Sequence, residues 1–112
     1  MAFKLGLGKP TGIDLPGEKG GVIPTRDWKL ANLNEPWQGG ETLVTAIGQG
    51  FVLATPLQLA VMTSRIVNGG IAVQPRLTRE MVARDGGFVN RPPPPETIGI
   101  ARSALELVIK GM

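Results

Sequence analysis

The chain has 112 residues, a net charge of +3, no cysteine and no histidine. The two absences exclude disulfides, the usual zinc sites and every nucleophile–histidine catalytic arrangement. The basic residues are scattered, so no nucleic-acid partner is expected, and no apolar run approaches the roughly 18 residues that span a bilayer.

The chain holds 16 glycines and 10 prolines. Gly6, Gly8, Pro10, Gly12, Pro16, Gly17, Gly20, Gly21 and Pro24 crowd the first 40 residues and break any long helix there. An extended loop follows from this, with short strand pieces at 13–15 and 22–23, wrapped around something larger. The N-terminus has no long apolar stretch, so no signal peptide is expected. Thr25 can cap a short helix over 26–31, with Asp27 near its positive end and Trp28 packed inward. Residues 42–47, Thr-Leu-Val-Thr-Ala-Ile, are rich in β-branched types and predict a short strand. Gly48-Gln49-Gly50 then turns the chain into the apolar run Phe51-Val52-Leu53.

A helix is predicted over 56–67. Thr55-Pro56-Leu57-Gln58 fits a capping box, with Thr55 as N-cap, Pro56 where a missing N–H costs nothing, and Gln58 reaching back. Leu59, Met62 and Ile66 share one face, and Asn68-Gly69-Gly70 ends the helix. A β-hairpin is expected over about 71–89. Segments 71–73 and 77–82 flank Gln74-Pro75-Arg76, and Asp85-Gly86-Gly87 marks a second turn before Phe88-Val89. Arg91-Pro92-Pro93-Pro94-Pro95 reads as polyproline II, either a ligand for a partner domain or a stiff connector. Ser103-Ala104-Leu105-Glu106 repeats the capping-box pattern, which makes Ser103 the cap of a second helix over 104–111 with the stripe Leu105, Val108 and Ile109.

Gly6, Gly8 and Gly12 are spaced GxGxxxG, but no strand precedes them and no helix follows, so a phosphate loop is not indicated. Nothing in the sequence brings two carboxylates across one substrate. The serines are Ser64 and Ser103. Acyl transfer of the Ser-x-x-Lys type needs a lysine one helical turn after the serine to take its proton. Three residues on from these serines stand Val67 and Glu106. No catalytic residue, metal or cofactor is therefore expected within the chain.

Several linked motifs carry a resemblance. Gly6-Leu7-Gly8-Lys9-Pro10-Thr11-Gly12-Ile13-Asp14-Leu15-Pro16-Gly17-Glu18 resembles a stretch of class B penicillin-binding proteins, as does Ile23-Pro24-Thr25-Arg26-Asp27-Trp28-Lys29. So do Trp37-Gln38-Gly39-Gly40-Glu41-Thr42, Ala46-Ile47-Gly48-Gln49-Gly50, Thr55-Pro56-Leu57-Gln58-Leu59-Ala60 and Asn68-Gly69-Gly70, in the family's order and spacing. The likeness is greatest to penicillin-binding protein 2-like members. Lys9-Pro10-Thr11-Gly12 is not that family's Lys-Thr-Gly motif, because Pro10 removes a backbone donor and resets the register.

The resemblance implies an α+β fold: a fragment of a β-lactamase/transpeptidase-like domain with two helices, a hairpin and long irregular segments. Residues 1–112 would be part of one penicillin-binding transpeptidase domain, between its second and third active-site motifs. The parent would be a peptidoglycan D,D-transpeptidase whose serine attacks D-Ala-D-Ala stem peptides and is acylated by β-lactams. It would act on the periplasmic face of the bacterial inner membrane, and this chain alone is expected to be inactive. Gly48, Gln49 and Gly50 would lie beside the active site, with Gln49 either supporting it or bonding only local backbone. Thr55 is expected to be a helix cap rather than a substrate contact. The expected partners are the missing parts of the domain, with self-association where these are absent. The alternative is a non-enzymatic interaction module that uses residues 91–95 or the apolar helix faces.

Overall fold

A computed structural model describes residues 1–77, 81–82, 88–89, 94 and 96–112. In chain order these form a 3-10 turn, Ala2–Leu5, and helices α1 (Arg26–Leu33), α2 (Gly39–Ala46) and α3 (Pro56–Val67). Two-residue strands β1 (Met81–Val82) and β2 (Phe88–Val89) follow, and then α4 (Arg102–Gly111).

Side-chain caps fix where α1 and α3 begin. The Thr25 hydroxyl accepts the Trp28 N–H at 3.0 Å, and α1 ends at Asn34, which takes a left-handed φ of 53° that asparagine tolerates. At α3 the bonds are reciprocal: Thr55 Oγ1 accepts from Gln58 N (3.1 Å), and Thr55 N donates to Gln58 Oε1 (2.9 Å). Pro56 stands in the first turn, where a helix loses nothing by its missing donor.

The core is small. Val61 and Ile66 of α3, Ile98, and Leu105 of α4 are its buried hydrophobic side chains among the described residues. Gly70 lets these pieces close up, since a Cβ there would stand 3.0 Å from Leu105 Cδ1 and 3.4 Å from Ile98 Cγ1. Its carbonyl accepts the Ile98 N–H at 2.9 Å. Arg65 ties the N-terminal turn to α3, with Nη1 donating to Lys4 O (2.9 Å) and Nη2 to Val73 O (3.1 Å). The molecule is elongated, 57 × 34 × 20 Å, with a radius of gyration of 17.1 Å. A compact domain of this length would have about 13 Å.

Several sequence expectations change. Residues 42–47 are not a strand: most of them lie in α2, because Glu41 at the third helical position accepts the Gln38 N–H at 2.7 Å and closes the first turn. Ser103 is not a cap. Helix α4 starts at Arg102 with Ala101 as N-cap, and Glu106, which would have reached back, is held by Arg102 Nε at 3.2 Å. Ile71 pairs with Thr97 in a long-range bridge, and residues 78–80 of the segment expected to face it lie outside the described residues. β1 and β2 do pair antiparallel, Met81 with Val89 and Val82 with Phe88. Asp85-Gly86-Gly87, which would join them, and residues 91–93 and 95 of the proline run lie outside the described residues. Val22 of the expected 22–23 strand bridges Leu53, whereas residues 13–15 form no strand. On α3 the buried face is Gln58, Val61 and Ile66, and Leu59 is 46% exposed.

Gly21 sits at φ +62°, and a Cβ there would collide with the Leu53 carbonyl and with Gln58 Oε1. Gly21→Ala combines left-handed strain with a backbone clash. It is expected to lower the unfolding free energy by about 3 kcal/mol in urea denaturation, with a midpoint shift that Gly17→Ala, which meets open space, does not match.

Candidate functional site

The polar centre of the chain is Gln58, the one fully buried large side chain among the described residues. Its Nε2 donates to Lys9 O at 2.8 Å and to Gly20 O at 2.7 Å, and its Oε1 accepts from Thr55 N. Both amide hydrogens and the carbonyl are therefore used. Gln58 joins the start of α3 to two points of the glycine-rich N-terminal segment, 49 and 38 residues away in sequence. The Val22–Leu53 bridge lies beside it, with N···O distances of 2.7 and 2.9 Å. Sequence reading found the local half of this, the capping box, and missed the long-range half.

Within that N-terminal segment Glu18 folds back on Thr11 and Gly12. The Thr11 N–H (2.6 Å), its hydroxyl and the Gly12 N–H (3.1 Å) all donate to the one carboxylate. The Thr11 hydroxyl first, and the backbone N–H groups after it, hold the Glu18 carboxyl below the usual carboxylate range. Thr11 and Gly12 also border a half-open cavity of about 300 Å³, with Lys9, Arg65, Gln74 and Glu96 around it.

The second polar cluster surrounds Lys29. Its side chain is 3% exposed, and Nζ lies 2.7 Å from Glu41 Oε1, 3.5 Å from Glu35 Oε2 and 3.1 Å from Pro36 O. The Glu41 carboxylate holds the Lys29 ammonium above its ordinary range. The Gln38 N–H, with Lys29 second, holds the Glu41 carboxyl below its own.

Gly48, Gln49 and Gly50 form a tight turn after α2. Gly48 and Gly50 both have positive φ, 74° and 72°, and Gln49 N donates to Val44 O at 3.0 Å. The turn is exposed and leads to Phe51, whose ring lies 5.5 Å from that of Trp28. It does not border the cavity beside Thr11. Thr55 is occupied as the α3 cap. The Ser64 hydroxyl donates to Ala60 O at 2.8 Å on the exposed side of α3, and Ser103 lies in the first turn of α4. Among the described residues no group of three or more His, Cys, Asp or Glu side chains could hold a metal. No described helix is long and apolar enough to cross a membrane.

The family model of the penicillin binding protein transpeptidase domain matches residues 1–112. The chain belongs to the penicillin-binding protein transpeptidase family. It is 42% identical over 83 residues to the peptidoglycan D,D-transpeptidase MrdA of Escherichia coli K12, a match that covers 74% of this chain and 13% of that protein. Its fold superposes on penicillin-binding protein 2 of Pseudomonas aeruginosa, solved in complex with WCK 5153, with a TM-score of 0.80 at 32% identity, covering 98% of this chain and 24% of that one. The corresponding protein of Helicobacter pylori, solved in complex with MreC, gives 0.79 at 35% identity, over 98% of this chain and 19% of that one. The chain thus spans about an eighth of the length of the curated relatives it matches. The motifs read from the sequence, from Gly6 to Gly70, are those of a penicillin-binding transpeptidase of the penicillin-binding protein 2 type.

Gln58→Leu leaves the Lys9 and Gly20 carbonyls and the Thr55 N–H without their partner. It is expected to cost about 3 kcal/mol of unfolding free energy, read from urea denaturation. Ionisation sets a second expectation. Glu18 and Glu41 are lowered in the folded chain, so their contribution is complete above the usual carboxylate value of 4.5 and is lost as pH falls below it. Lys29 is raised, so its contribution is complete below the usual 10.5 and is lost as pH climbs past it. Urea midpoints should be level between about pH 6 and about pH 9 and fall on both sides.

Proposed function

We propose that this chain is a scaffolding segment of a peptidoglycan D,D-transpeptidase domain, lying between the second and third active-site motifs, and that it does not itself carry the acylated serine. The observation that carries this reading is the state of its two serines. Ser64 has Val67 where an activating lysine is needed, and its hydroxyl is spent on Ala60 O. Three residues on from Ser103 stands Glu106, which is paired with Arg102. Neither serine is followed one helical turn on by the lysine that would take its proton.

In this reading the exposed Gly48-Gln49-Gly50 turn, whose two glycines have positive φ, is the part of the chain that lies beside the active site of the parent domain. The missing parts of the domain are the chain's partners, and they cover the apolar side chains left open here, among them Leu43 (73% exposed), Ile47 (70%) and Leu107 (73%). Where those parts are absent the same faces drive self-association. The parent binds stem peptides and β-lactams and works on the periplasmic side of the inner membrane.

Intact mass after incubation with excess benzylpenicillin tests this. The chain is expected to keep its mass. A stoichiometric adduct on Ser64 or Ser103 would mean that the chain holds its own acylation site and overturn the scaffolding reading.

A further inference from the structure

We infer that Lys29 is the positioning residue of the segment from Gln38 to Gly50: its ammonium, rather than any apolar contact, keeps α2 helical and so sets where the Gly48-Gln49-Gly50 turn stands. The functional weight of this rests on the proposed place of that turn beside the active site, but the physical argument does not.

Helix α2 has little of its own to hold it. It opens on Gly39 and Gly40, and Thr42, Val44 and Thr45 are β-branched. At eight residues it is well short of the roughly 12–15 at which an isolated helix becomes even marginal in water. Helices usually gain the balance by burying an apolar face, yet no α2 residue is buried. Propensity, length and packing therefore all point away from a helix at 39–46.

What α2 does have is Glu41. One oxygen accepts the Gln38 N–H and the other meets Lys29 Nζ, each at 2.7 Å. The bond from Trp37 Nε1 to Thr42 Oγ1 (2.9 Å) lies within the same turn and moves with it. Among the described residues of the other helices, it is Lys29 of α1 that reaches this turn by a polar contact. An ammonium has three donors, and here they face three acceptors: Glu41, Glu35 and the Pro36 carbonyl. All three lie in the 35–41 stretch, so one buried cation gathers the whole connection between α1 and α2.

The charged groups facing Lys29 are Glu41 from α2 and Glu35 from the connection. The burial is on the lysine side, since Lys29 is 3% exposed and Glu41 25%, so losing Glu41 costs more than forming the pair is worth: it leaves the ammonium buried with the mostly exposed Glu35 as its one carboxylate. The consequence reaches the turn directly: Gly48 N donates to Thr45 O and Gln49 N to Val44 O, both at 3.0 Å, so the turn hangs on the last residues of α2. Helix α1 thus holds the segment at two points, through Lys29 at one end and through Trp28 against Phe51 at the other.

Backbone amide hydrogen exchange, read by NMR on the full chain, tests this with Lys29→Met, Lys29→Arg and Glu41→Gln. Lys29→Met should lower protection across 41–49 by about tenfold or more, while amides of α3 stay within about twofold. Lys29→Arg, which keeps the charge and the donors, should recover most of the loss. The Glu41 carboxyl, titrated in the same samples, should move upward in Lys29→Met because a cation that lowers it has gone. Unchanged protection of 41–49, equal loss in α3, or an unmoved Glu41 titration would overturn the inference. If Lys29→Met does not fold, Glu41→Gln decides, since it keeps an acceptor for Gln38 but removes the charge: loss confined to 38–50 supports the latch, and no loss there overturns it. The exchange is read without penicillin or substrate. A failed latch therefore leaves the scaffolding reading to its own mass measurement, and an acylated serine would leave the latch standing.

Discussion

One carboxamide organises this chain. Gln58 spends its carbonyl on the first turn of α3 and its two N–H groups on carbonyls of the N-terminal segment. A buried amide with any of these unmade would carry a desolvation cost that a small core cannot offset. Gly21 is glycine for the same reason, since a side chain there would strike Gln58 Oε1 and the Leu53 carbonyl. The glycine-rich first 25 residues, which have almost no regular structure, are thus held by hydrogen bonds to α3 rather than by burial of their own side chains.

Polar connections do the same work elsewhere. Arg65 fastens the N-terminal turn and Val73 to α3, Glu18 closes the loop at Thr11, and Lys29 gathers the link from α1 to α2. Among the described residues the buried hydrophobic side chains belong to α3, α4 and Ile98, and none to α1 or α2. The elongated shape and the open apolar faces of α2 and α4 are what the proposed scaffolding role would leave on a segment of a larger domain.

The sequence was most legible where structure is decided within one turn of chain. Thr55, Pro56 and Gln58 announced α3, Thr25 announced α1, and the ordered run of motifs from Gly6 to Gly70 announced the family. It misled where a distant partner decides. Residues 42–47 carry the β-branched signature of a strand, yet Glu41 and Lys29 hold most of them in a helix. Ser103 and Glu106 have the spacing of a capping box, but Arg102 takes the glutamate and the helix starts earlier. Ile71 looked like the first strand of a hairpin and pairs with Thr97.

By itself, then, the sequence determined the family, the helix α3 with its cap, and the lack of a lysine after either serine, because each depends on residues adjacent in the chain. The tertiary structure alone decided that Gln58 reaches Lys9 and Gly20, that Lys29 is buried against Glu41, and that Leu59 faces outward while Val61 faces in. Those outcomes turn on which groups meet across 12 to 50 residues of chain. A hydrogen bond or ion pair of that span leaves no periodic trace in the residues between its ends.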